Sequence, residues 1–489
     1  MMTGILALTA VSLSFLSGCG SKSDSAPPQA SIPLSIRNTS RPDSDARNST
    51  TNAPASETAA SEEKVSLTPD SATKTGWSSE VVDQLVQKAA KAVVAGQRRT
   101  AIEALSQAIG ATPKDARLFR IRADVYALMG ENANARADFT TAIHMDPENA
   151  DLRNYRGYFL MSSGLIADAM ADFTEAIRLD PQHAAALNNR GLLLLGEQNY
   201  DEAITSFSKA IDSDRRYTDA WNNRGFARMK QGKLTEALAD LQQALRLKED
   251  YVTAWNNCGM VYMDQQNYAE AEKAFSRAVE LNPMELRWLA NRRAARIKLE
   301  MFAEAQQDSA KIEWLNDLNA LTKQAARDSA NPDSWIVRGR HLMNGAQYGA
   351  AVQDFTRALV VNPGNREALT SRAVAWLAMG DTEKAIMDCD ESLVIEASTD
   401  AYSVRGDVWL QLNNLDQAIA DYEAARRFDE QVASAYDLRA AKLQKEGREA
   451  DAAEDRRKAD GIRNALSGQV GSDATSKAPE LPADIAAPE

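Results

Sequence analysis

Four asparagines stand thirty-four residues apart, at Asn189, Asn223, Asn257 and Asn291. A second row, Asn154, Asn188, Asn222 and Asn256, keeps the same stride one place earlier in the period. A carboxamide carries a donor and an acceptor, as a peptide group does. Amides at constant stride are therefore chemistry for holding an extended peptide backbone with little regard for its side chains. Tyr158, Phe226, Met229, Met260 and Met263 recur at neighbouring places in the period, and methionine conforms to varied partners. Asn189, Asn223, Asn257, Asn291, Asn188, Asn222 and Asn256 with these five form the candidate peptide-binding groove. At roughly 0.5–1.5 kcal/mol per net hydrogen bond, the first four amides give weak to moderate affinity. Their replacement by Ala is expected to abolish binding and leave the fold intact. The competing reading is that Asn suits this place in the period generally and Met fills gaps between helices.

A third row pairs arginine with aspartate. With position 1 set at Val82 and steps of thirty-four, position 7 is Arg in nine repeats. Eight of those carry Asp at position 23: Arg122 with Asp138, Arg156 with Asp172, Arg224 with Asp240, Arg292 with Asp308, Arg338 with Asp354, Arg372 with Asp388, Arg405 with Asp421 and Arg439 with Asp455. Arg190 stands opposite Ser206, and where Lys88 or Cys258 replaces the Arg, position 23 is Ala. Carboxylates in a row could serve a metal or acid–base chemistry. Here each Asp varies with an Arg, so the row reads as a structural ion pair joining two helices of one repeat. Breaking one partner of such a pair costs roughly 3–5 kcal/mol when it is buried.

The elements that carry these rows follow from the period itself. Position 20 is Ala in all eleven repeats, from Ala101 to Ala452, with the frame restarting at Pro332 and one residue missing between the ninth and tenth. Each repeat holds two apolar-periodic stretches separated by a short turn. Gly96, Gly130, Gly164, Gly232, Gly380 and Gly447 sit in that turn, where a helix end favours positive φ. Position 8 is small, as at Gly157, Gly191, Gly225 and Gly259, while position 24 is bulky, as at Phe139, Phe173, Phe207 and Phe275. Prolines such as Pro147 and Pro181 close the second helix.

Period, small residues, aromatic and proline together resemble the tetratricopeptide repeat family, over about 82–463. The resemblance implies an all-α, right-handed solenoid of about eleven helix pairs, in which no repeat buries its apolar face alone. It implies a concave groove into which position 6 looks, similar to the asparagine ladder of the O-linked N-acetylglucosamine transferases. The Lys and Arg constellation of chaperone-binding carboxylate clamps is absent. Twelve extra residues, Ala320 to Asn331, interrupt the repeats. Ile312, Leu315, Leu318 and Leu321 keep helical spacing, and no Gly or Pro occurs between Phe302 and Ala330. One long helix is predicted there, stopped by Asn331-Pro332, with separate cores on its two sides.

The ends read differently. The leader "MMTGILALTAVSLSFLSGCG" holds an apolar run too short for a permanent span, and Leu16-Ser17-Gly18-Cys19 resembles the bacterial lipobox. That resemblance implies a signal peptide over 1–19, a lipid on Cys19, and an anchor in the cell envelope facing the periplasm or exterior. In a diderm bacterium the membrane would be the outer one. No Lys or Arg precedes the apolar run. Segment 20–78, rich in Ser, Thr and Pro, lacks the apolar residues to bury a core and reads as a disordered tether. The tail 464–489 reads likewise. The folded part is expected as repeats 1–7 over 79–319, a helical insertion over 320–331 and repeats 8–11 over 332–463.

Bulk composition narrows the function. A net charge of −13 disfavours nucleic acid, which needs a basic surface. Three His and three Cys offer little for metal binding or nucleophilic catalysis, and no phosphate loop, dinucleotide fingerprint or nucleophile elbow occurs. No cofactor, no metal and no enzymatic activity are expected. Cys258 and Cys389 read as buried free thiols. The sequence thus points to a non-enzymatic scaffold or adaptor of the cell envelope that binds other proteins through peptide segments. The alternative is a self-associating structural solenoid without a dedicated peptide ligand.

Overall fold

The computed structural model describes residues 79–469. The leader, Cys19, the expected tether and the last twenty residues lie outside the described part. Among the described residues there are 22 helices and no strand. They form eleven consecutive antiparallel pairs, one per repeat.

The period sets where each helix begins. In repeats 2–9 the first helix opens at position 1, from Ala116 to Arg366. Short polar side chains cap several of these starts. Asp115, Asn149, Asn331 and Asn365 accept from the backbone N–H of Arg117, Leu152, Asp333 and Ala368, satisfying donors that the first turn leaves open. Trp at position 4 secures the preceding loop: Trp221, Trp255 and Trp335 donate to the carbonyls of Arg215, Glu249 and Ser329.

The first helix ends through a left-handed residue at position 15. The six turn glycines adopt φ of 74–82°. In the other five repeats Gln198, Gln266, Glu300, Ala346 and Asn413 adopt φ of 55–63° at the same place. The turn is therefore dictated by the packing of the pair, and glycine only makes it cheaper. Position 8 meets position 24 at close range. A Cβ on Gly259 would lie 2.5 Å from the Phe275 ring, and one on Gly191 2.6 Å from Phe207. Position 20 lies beneath, with ten of its eleven alanines fully buried and Ala305 at 5% exposure.

The contacts divide the chain into two bodies, one through Ala305 and one from Gln306. The helix Phe302–Arg327, 26 residues long, begins as the second helix of repeat 7 and runs without a break into the insertion. Leu318 packs against Ile336 and Leu342. Trp314 stacks on His341 with ring centres 5.2 Å apart and donates its indole N–H to the His341 carbonyl at 3.1 Å. The helix stops three residues short of the predicted Ala330. Asn331 and Pro332 then start the next one. The expected tail is also corrected, because the last helix, Glu449–Gln469, continues past 464. Ile462 and Leu466 pack on Ile419 and Tyr436, so this stretch covers the end of the last core.

Candidate functional site

The first helices of repeats 3–7 lie side by side in the N-terminal body and line a concavity of about 530 Å³. Of the proposed groove residues, Tyr158, Asn188, Asn189, Asn222, Asn223, Phe226, Asn256, Asn257, Met260 and Asn291 all line it. Met229 and Met263 do not. Met229 is 6% exposed, packed with Leu241 and Val261, and Met263 rests against Phe275 and Ala295. Position 12 lies three residues beyond position 9, where the helix surface has turned toward the neighbouring repeat. These two methionines are packing residues.

The amides are arranged differently from a free ladder. Asn189 donates to Asn154 at 3.0 Å, Asn223 to Asn188 at 3.0 Å, Asn257 to Asn222 at 2.9 Å and Asn291 to Asn256 at 2.7 Å. Each position-6 amide thus reaches back to the position-5 amide of the preceding repeat. Asn222 also donates to Asn223 at 3.2 Å. The position-5 residues are 2–5% exposed. The two rows read from the sequence are joined to each other by inter-repeat hydrogen bonds. Replacing them by Ala would strip buried acceptors of their donors, so the expectation of a fold-neutral change is corrected. The carbonyl oxygens of Asn189, Asn257 and Asn291 stay outside this row of bonds.

The Arg–Asp row is a structural latch. Arg224 grips Asp240 through Nε at 2.9 Å and Nη2 at 2.8 Å, and Arg122, Arg156, Arg372, Arg405 and Arg439 do the same with their partners. Arg338 holds Asp354 in the same two-pronged way. Arg190 instead donates to Ser206. The third arm was not read from the sequence. Nη1 of Arg122, Arg156, Arg224 and Arg372 reaches Ser106, Thr140, Ser208 and Thr356 on the second helix of the preceding repeat. The recurrence of Ser or Thr at position 25 was the available signal. The aromatic at position 4 lies under several of these guanidiniums, as Trp221 under Arg224 at 4.8 Å.

The concavity also holds charge. Asp219, in the first turn of its helix, accepts from the Tyr251 hydroxyl at 2.6 Å. Burial raises the Asp219 carboxyl above its usual range, against the hydrogen bond from Tyr251 and the charge of Lys248. Burial and the nearby Asp219 hold the Tyr251 phenol well above its own. Glu285 pairs with Arg287 at 2.9 Å, and Lys230 lies over the Phe226 ring at 5.2 Å. Elsewhere, His183 accepts from the Ala186 N–H through Nδ1 and contacts Asp151 through Nε2 at 3.1 Å, so it serves as a helix cap. Burial pushes the thiols of Cys258 and Cys389 up to about 12. Among the described residues no group of three His, Cys, Asp or Glu is placed to hold a metal ion. No described helix is long and apolar enough to cross a membrane.

Sequence profiles of the tetratricopeptide repeat match at 87–150, 129–184, 160–220, 336–401 and 252–284, and a TPR repeat profile matches at 227–266. The chain belongs to the tetratricopeptide repeat family. Such repeats are protein-interaction scaffolds. A mouse (Mus musculus) protein, outer dynein arm-docking complex subunit 4, is 35% identical over 60 residues, which is 12% of this tetratricopeptide repeat chain and 10% of that protein's length. Two solved structures are similar in part. YrrB, described as a TPR protein with an unusual peptide-binding site, is 21% identical, covering 39% of this chain and 97% of its own with a TM-score of 0.32. PilW, described as a type IV pilus biogenesis factor, is 19% identical, covering 42% of this chain and 96% of its own with a TM-score of 0.38.

Proposed function

We propose that this protein is a non-enzymatic adaptor that holds an extended peptide segment of a partner protein in the amide-lined concavity of its N-terminal body. One observation carries the reading: ten of the residues that the sequence nominates converge on one concave surface with aromatic, thioether and amide groups interleaved. Such a surface supplies apolar contact together with fixed polar groups that orient a backbone. The lipobox-like stretch supports anchorage to a cell-envelope membrane through Cys19.

The test should fill the groove without touching the amide chain. Ala290 lines the concavity and is exposed, so Ala290→Trp adds bulk there and removes nothing from the core. Peptides selected on the full chain from a random display library should lose binding to this variant in calorimetry while its melting temperature is unchanged. Undiminished binding would place the peptide elsewhere. Anchorage is tested separately by mass analysis of the mature N-terminus with and without Cys19→Ala.

Self-association is the second reading. Val360 and Val394, one period apart on the second helices of repeats 8 and 9, are 79% and 88% exposed. Concentration-dependent sedimentation, abolished by replacing both with Lys, would favour it.

A further inference from the structure

We infer that the segment held in the concavity presents a lysine or arginine cation to Asp219. This deepens the peptide-binding reading and rests on it. Two carboxylates line the concavity. Glu285 is already paired with Arg287 at 2.9 Å. Asp219 forms no ion pair among the described residues: it accepts from a neutral hydroxyl, and Lys248 acts on it only through longer-range charge.

The arrangement fixes this carboxylate for a visitor. Tyr251 is 6% exposed and anchored in the core beside Ala244 and Ala254. Its hydroxyl donates to Oδ1 at 2.6 Å, which orients the group and leaves Oδ2 without a hydrogen bond. Neither nearby lysine pairs with it. Lys248 lies over the Tyr251 ring at 5.6 Å and favours the Asp219 charge through space without forming an ion pair. Lys230 is eleven residues along the same helix, roughly 16 Å away at 1.5 Å per residue, with its ammonium over Phe226. The adjoining amides of Asn188, Asn222 and Asn256 are neutral. Burial disfavours the charged form of Asp219, and an incoming guanidinium or ammonium would restore what desolvation removed. A charge-assisted hydrogen bond in such a place discriminates more sharply than a neutral one.

The experiment uses the full chain and a displayed library of random twelve-residue peptides. Selection should enrich sequences with Lys or Arg at one fixed place. For a selected peptide, changing that residue to norleucine should weaken binding about tenfold, the scale of one hydrogen bond to a charged group. Asp219→Asn keeps the acceptor for Tyr251 and should erase the difference between the two peptides. Selected peptides that bind in the groove, as judged by loss on Ala290→Trp, yet carry no basic residue would overturn this inference and leave the groove reading intact. Failure to select any peptide sensitive to Ala290→Trp would overturn both.

Discussion

Asn257 donates its side-chain amide to Asn222 of the preceding repeat at 2.9 Å, and both residues are 4% exposed. The bond lies between stacked repeats, on the wall of the concavity. It therefore ties neighbouring helix pairs together and holds both amides at the surface of the concavity. Asn257→Ala leaves the Asn222 oxygen buried without this donor. It is expected to destabilise the N-terminal body by about 1–3 kcal/mol. Chemical denaturation followed by circular dichroism checks it, and a change below the error of the measurement would show that water replaces the missing donor.

Arg372 and Asp388 give a clean test of the latch. Two bonds join them, at 2.8 and 2.7 Å, and Asp388 is 5% exposed. At Arg224 the corresponding Asp240 is also reached by Arg228 at 2.6 Å, so a single change there is partly compensated. Removing either Arg372 or Asp388 should cost about 3–5 kcal/mol. The double variant should cost clearly less than the sum, because the second change removes a group already stranded. Additive losses in that cycle would refute an energetic pairing.

Gly259 faces Phe275 so closely that a Cβ would lie 2.5 Å from the ring. Gly259→Ala is expected to lose about 1–3 kcal/mol through overpacking. Gly349, in the second helix of repeat 8, has nothing within 4 Å of a built Cβ. Gly349→Ala should be neutral or stabilising by up to about 1 kcal/mol. Equal effects at the two sites in thermal melts would contradict the close approach of positions 8 and 24.

Cys258 and Cys389 are 3% and 0% exposed, and burial pushes both thiols up to about 12. At pH 8 only about one part in ten thousand of such a thiol is ionised, and the thiolate is the reactive form. Neither should react with an aromatic disulfide reagent in the folded protein, and both should react at once in denaturant. Rapid reaction of either under native conditions would mean that its repeat opens locally.

The helix pairs were legible because a repeat writes its contacts many times. Ala at position 20, the small residue at 8 and the ring at 24 each recur, and a contact required in every pair leaves the same residue type at every stride. The latch was legible for the same reason, since Arg and Asp come and go together. Harder to read was any feature that joins one repeat to the next. The arm from Arg224 to Ser208 and the bond from Asn257 to Asn222 tie residues 16 and 35 places apart. Those bonds cross from one repeat to the next, so comparing positions within a single repeat does not show them.

The ends of the repeat array escaped for another reason. Residues beyond 463 carry few large apolar groups, and composition alone reads them as tail. The last helix continues because Ile462 and Leu466 meet a core face that would otherwise be bare. Similarly, the long helix Phe302–Arg327 was foreseen from its spacing, but where the contacts divide, after Ala305, depends on which neighbours its successive turns meet.

The sequence by itself determined that this chain is built of eleven helical hairpins and nominated ten residues that share one concave surface, because side-chain direction on a helix follows from position in the period. Only the tertiary structure decided that the asparagines bond to one another across repeats, that Met229 and Met263 are packing residues, and that Asp219 stands in the concavity hydrogen-bonded to Tyr251. Those outcomes depend on distances between neighbouring repeats. A period fixes the direction in which each side chain leaves its helix, and the packing of one pair on the next fixes what it meets.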